Sequence, residues 1–88
     1  MARYRILIKR SAKREIEGIA NRRDRRRVVD RILRLADDPR PPGCQKLSGN
    51  DRYRVRQGSY RIIYSIEDGR LIVLVVKVGD RKDIYREK

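Results

Sequence analysis

The chain has 88 residues, room for one domain and not for two. Lysine and arginine number 25 against 12 aspartates and glutamates, a formal net charge of +13, with no histidine and a single cysteine. One cysteine excludes a disulfide framework, 39% apolar content argues against a disordered basic tail, and no apolar run approaches the roughly 20 residues that cross a bilayer. The opening residues lead into a short alternation and not into the unbroken apolar stretch of a signal peptide, so one soluble, cytoplasmic domain over residues 1–88 is expected. Self-repulsion on this scale destabilises a compact chain and calls for a polyanionic counterpart: nucleic acid first, an acidic protein second, a membrane surface third.

Tyr4, Ile6 and Ile8 alternate with Arg5, Leu7 and Lys9, which predicts a half-buried strand. Ser11 reads as the N-cap of a helix that turns Ala12, Ile16, Ile19 and Ala20 inward, carries Glu15 and Glu17 in its first half and closes at Asn21. Asp24 reads as the cap of a second helix with Val28, Val29, Ile32, Leu33, Leu35 and Ala36 as its apolar stripe, ended by Asp38-Pro39. Arg25, Arg26 and Arg27 crowd the positive end of that helix and Asp37 and Asp38 its negative end, both against the dipole. Asp30, four residues from Arg26 and from Arg34, is expected to offset part of this. The arginines form either a solvated face or a surface for an anionic partner.

Pro41, Pro42, Gly43 and Gly49 make Arg40 to Asn50 a loop, with Cys44 an ordinary loop thiol. Three strands follow, Arg52 to Gln57, Tyr60 to Glu67 and Leu71 to Val78, joined by a type II′ turn at Gly58-Ser59 and a type I′ turn at Asp68-Gly69. The expected fold is α+β: two N-terminal helices packed on one face of a four-stranded, mainly antiparallel sheet, in the order β-α-α-β-β-β.

The turns predict the register. A two-residue loop at Gly58-Ser59 pairs Gln57 with Tyr60, Val55 with Ile62 and Tyr53 with Tyr64, an apolar face for the helices. On the other face Arg56 opposes Arg61 and Arg54 opposes Ile63, with Arg52, Arg54 and Arg56 at about 6.6–6.8 Å intervals, close to the phosphate repeat of a nucleic acid strand. Opposed arginines repel, so an anion is expected between them. A two-residue loop at Asp68-Gly69 aligns Arg61 with Val76 and Glu67 with Arg70, and brings the segment containing Arg81 and Tyr85 toward the cluster.

Without histidine, imidazole acid–base chemistry and histidine-ligated metal are excluded, and one cysteine makes no zinc site. No cofactor motif is present. What remains is guanidinium, which binds phosphate bidentately at any useful pH, and phenol, whose ionised form nearby arginines favour. RNA brings its own nucleophile, the 2′-OH, so arginines that position the strand and stabilise the phosphorane could suffice.

The stretches Lys46-Leu47-Ser48-Gly49, Arg52-Tyr53-Arg54-Val55-Arg56, Tyr60-Arg61-Ile62-Ile63-Tyr64 and Val78-Gly79-Asp80-Arg81-Lys82-Asp83-Ile84-Tyr85 resemble the RelE/ParE toxin superfamily, specifically its RelE branch. That resemblance implies the toxin of a type II toxin–antitoxin system, an endoribonuclease that cuts messenger RNA in the A site of the 70S ribosome without a metal or cofactor. It implies that Arg61 clamps the phosphate, Arg54 and Arg56 bind RNA and stabilise the transition state, Arg81 assists the leaving group, and Tyr85 activates the 2′-OH or stacks on the substrate. Lys46, Arg52 and Lys82 extend the expected RNA-binding surface. Arg54 and Arg56 stand where better-studied members carry lysines, and Ser48 where some carry a basic residue. A cognate antitoxin is implied, acidic or amphipathic, wrapping a monomeric toxin at the helical face, the sheet edge or the basic surface. Two other functions stay open: a gyrase inhibitor of the ParE branch, and a non-catalytic basic module that binds RNA or the ribosome.

Overall fold

The computed structural model describes residues 3–49 and 51–80. The elements are β1 (Arg5–Ile8), α1 (Arg10–Glu17), α2 (Arg22–Arg34), β2 (Gln45–Lys46), β3 (Arg52–Gln57), β4 (Tyr60–Glu67) and β5 (Ile72–Asp80). The sheet has five strands in the order β1-β5-β4-β3-β2, one more than expected. The extra strand is the two-residue β2, which pairs Gln45 with Arg54 and Lys46 with Tyr53 inside the segment read as pure loop. So short a piece has no hydrophobic period of its own; only β3 beside it makes it a strand. The sheet is mixed: β1 runs parallel to β5, and the other three pairings are antiparallel.

The helices begin and end differently from the predicted caps. Helix α1 starts at Arg10 with Lys9 at its N-cap and no capping side chain, so Ser11 lies inside it, and Gly18 ends it. Asn21 does not close α1; it caps α2, its side-chain oxygen accepting the Asp24 backbone N–H at 3.0 Å. An asparagine can serve either role, and here three residues of linker separate it from α1. Asp24 falls within the first turn of α2, and Arg31 and Arg34 in the last, all favoured by the dipole. Asp37 and Asp38 lie beyond the helix, so the charges opposing that field are Arg22, Arg23 and Arg25 in its first turn.

Both helices cover the same face of the sheet. Ala12, Ile16 and Ile19 from the α1 side and Val28, Ile32 and Leu35 from the α2 side meet Val55, Ile62, Tyr64, Val73, Val75 and Val78 in one core. Tyr64 is fully buried, stacks on Tyr53 with ring centroids 5.9 Å apart and donates its hydroxyl to the Pro39 carbonyl at 2.7 Å. Burial raises the pKa of that phenol above its ordinary value.

The turn between β4 and β5 corrects the predicted type I′ hairpin. Glu67 pairs with Ile72, leaving a four-residue loop in which Leu71, not Gly69, takes the left-handed conformation (φ 54°). Asp68 shapes this loop through tertiary contacts. Arg40 donates to its two carboxylate oxygens at 3.1 and 3.0 Å, and the Tyr4 hydroxyl donates to Oδ1 at 2.7 Å. The same guanidinium lies 5.2 Å from the Tyr53 ring centroid. One carboxylate therefore ties β1, the segment after α2 and the β4–β5 turn together. The Arg40 hydrogen bonds, then the Tyr4 bond, hold its pKa at about 2, below the ordinary 3.8. Since the folded value is the lower, the network contributes fully above about pH 4 and is lost as the pH falls toward about 2. Melting temperatures measured across that acid range should fall more steeply for the wild type than for Asp68→Asn.

Candidate nucleic-acid interface

The sheet face turned away from the helices carries the predicted arginines. The type II′ turn is present, with Gly58 at φ 62°, and the β3–β4 register is the predicted one: Gln57 with Tyr60, Arg56 with Arg61, Val55 with Ile62, Arg54 with Ile63, Tyr53 with Tyr64. Alternation places Arg52, Arg54, Arg56 and Arg61 on one side, opposite the buried Val55, Ile62 and Tyr64. Arg54 is half-buried and donates to the Gln45 side-chain oxygen on β2, which fixes its direction. Arg52, Arg56 and Lys46 are exposed.

Arg61 differs from its neighbours. It is the one buried charged residue among those described, 2% exposed, and it has partners within the fold. The backbones of Arg56 and Arg61 are paired as expected, but only the Arg56 side chain faces solvent. The β4–β5 register explains the room for Arg61. Val75 pairs with Tyr64 and Lys77 with Ile63, so Val76 is an extra residue, a β-bulge. Beyond the bulge Arg61 faces Gly79, not the predicted Val76, and glycine leaves that flank without a side chain.

Helix α1 holds the bulge in place. The Glu15 carboxylate accepts the Val78 backbone N–H at 2.9 Å through Oε1 and meets the Lys77 ammonium at 3.0 Å through Oε2. Strand β1 has ended by then, its last contact being the Lys9 N–H donated to the Val75 carbonyl. Glu15 therefore satisfies a backbone donor that β1 no longer reaches. Sequence reasoning assigned Glu15 to the helix dipole and missed this contact. A signal did exist: strict alternation from Val73 and Val75 would turn Lys77 into the core, and a bulge is the usual resolution. Arg81, Lys82 and Tyr85 lie outside the described residues.

Residues 6–85 match the sequence model of the family described as ParE toxin of type II toxin–antitoxin system. The chain belongs to that family, within the RelE/ParE superfamily of toxins. A RelE-like toxin protein of Escherichia coli is 25% identical over 87 residues, covering 94% of this chain and 90% of that one. Among solved structures, a chain of the archaeal RelE–RelB complex of Pyrococcus horikoshii is 27% identical, with a TM-score of 0.79 over 89% of this chain and 94% of its own. A chain of the RelBE2 toxin–antitoxin complex of Mycobacterium tuberculosis shares the fold, with a TM-score of 0.81 at 24% identity over 92% and 94%.

The burial difference separates two variants of the toxin. Arg56→Ala should change unfolding free energy by no more than about 0.5 kcal/mol, as for an ordinary surface substitution. Arg61→Ala should cost about 2–4 kcal/mol, because it leaves a cavity and unsatisfied partners. Urea denaturation of both proteins checks this.

Proposed function

We propose that this toxin is a ribosome-dependent endoribonuclease that cuts messenger RNA in the A site by attack of the 2′-OH on the adjacent phosphorus, without a metal. The observation carrying the reading is the sheet face on which Arg56 and Arg61 are paired across strands and Arg54 is held by Gln45. Three guanidinium groups on adjacent positions can grip a phosphate and stabilise the charge that develops on the phosphorane. In this reading Arg54 and Arg56 grip the phosphate and stabilise its equatorial oxygens, Arg61, only 2% exposed, completes the clamp once RNA binding uncovers it, and Arg52, Lys46 and Lys82 hold the flanking strand. Tyr85, as the tyrosinate, takes the 2′-OH proton; the 2′-oxygen bonds to phosphorus as the bond from phosphorus to the 5′-oxygen breaks, and Arg81 stabilises the departing 5′-oxygen, which takes its proton from solvent water. The products are a 2′,3′-cyclic phosphate and a 5′-hydroxyl.

The partner in the resting state is a cognate antitoxin. The same sheet face continues across β4, β5 and β1 as a groove of about 420 Å³ lined by Leu7, Ser65, Glu67, Arg70, Ile72 and Leu74. Leu7 and Ile8 on the edge strand β1 are 42% and 40% exposed. An amphipathic segment could cover this apolar region and reach the arginines beside it. Among the described residues no helix is long and apolar enough to cross a membrane.

Primer extension on a message translated in vitro tests the reading. Added toxin should produce cuts at A-site positions, unchanged by EDTA, and Arg61→Lys should lower the single-turnover rate by roughly 10²–10³ while retaining a buried cation. Intact messages with inhibited gyrase supercoiling would replace this reading with the ParE activity. Ribosome binding without cleavage would reduce the chain to a binding module.

A further inference from the structure

The sheet site leaves much of the chain's charge unused, and the largest share lies on α2. Arg22, Arg23, Arg26, Arg27 and Arg34 are all exposed, on the side of the helix turned away from the buried Val28, Ile32 and Leu35. Arg22 and Arg26, like Arg23 and Arg27, are four residues apart, about 6 Å along the axis. Neighbouring α1 adds exposed Arg10, Lys13 and Arg14. Asp30, expected to pair with Arg26 and Arg34, forms none of the ion pairs made among the described residues. Like charges at this spacing cost helix stability, and no ion pair among the described residues neutralises them.

The chemistry of the face indicates what does. A protein interface is built around desolvated apolar or aromatic anchors, and this surface offers only Leu33, 53% exposed. A phosphate backbone asks for positive charge and forked donors, which arginine supplies. We infer that the outer face of α1 and α2 docks on the phosphate backbone of folded RNA. It is a second RNA contact, on the opposite side of a body measuring 35 × 29 × 25 Å from the arginines of β3 and β4. The choice of RNA among polyanions rests on the function proposed above, but the docking itself requires no cleavage.

The test is a salt titration of binding to a blunt RNA duplex, comparing wild type with the variant R22Q/R23Q/R26Q/R27Q. Glutamine keeps helix propensity and removes repulsion, and melting curves verify the fold. With a slope of about 0.9 per phosphate contact, four contacts predict that the wild type loses about 150-fold more affinity than the variant between about 50 and 200 mM salt. The smaller change R23Q/R27Q should account for about 12-fold of this on the same slope, and serves if the fourfold variant does not fold. The single-turnover cleavage rate at saturating toxin should stay unchanged, so a failure of docking is distinguishable from a failure of the catalytic reading. Parallel salt dependences for wild type and variant would overturn the inference. So would a variant that loses binding to polyglutamate while keeping its RNA affinity, since the face would then belong to an acidic protein.

Discussion

A guanidinium cannot shed its charge on burial, so a fold that encloses one must supply room and partners for it. Arg61, 2% exposed in the middle of the sheet, imposes that constraint here. Arg56 lies across from it on one side, and the Val76 bulge brings Gly79 opposite it on the other. The bulge in turn leans on Glu15, which takes up the Val78 N–H and the Lys77 ammonium where β1 stops. A helix on one face of the sheet thus controls the strand geometry beside an arginine on the other. The end of β5, from which the chain proceeds to Arg81, is aligned by the same contacts.

Much of this was legible in the sequence, for reasons particular to each element. The two-residue turn at Gly58-Ser59 has one good geometry, and it determined every β3–β4 pair including Arg56 with Arg61. The alternation of Tyr53, Val55, Ile62 and Tyr64 identified the core face for the same reason. The β4–β5 hairpin was misread because Asp68-Gly69 looks like a type I′ turn. Its conformation answers instead to Arg40 and Tyr4, 28 and 64 residues away, which no local pattern reveals. The α2 caps were misplaced because Asn21 and Asp24 are both good N-cap residues, and only tertiary packing chooses between them.

The site residues divide along similar lines. Arg52, Arg54, Arg56 and Lys46 follow from strand periodicity and are where the pattern puts them. The burial of Arg61 was not legible, since alternation gives the face of a side chain and not what covers it. Its burial also changes how mutants should be read: losing activity in Arg61→Ala mixes chemistry with stability, whereas Arg61→Lys does not remove the charge. The charge on α2 was visible in the composition, yet its failure to pair with Asp30 needed coordinates. Together these features describe a small toxin whose positive charge is spread over two opposed faces.

The central claim is that Arg56 and Arg61 share one phosphate, and a double-mutant cycle on RNA affinity addresses it most directly. Wild type, Arg56→Gln, Arg61→Lys and the double variant would be titrated at low ionic strength with a 2′-O-methylated RNA that cannot be cut. If both arginines hold the same phosphate, the double variant should lose less binding free energy than the sum of the singles, with a coupling of about 0.5–3 kcal/mol. Strictly additive losses, or no loss in either single variant, would contradict the account.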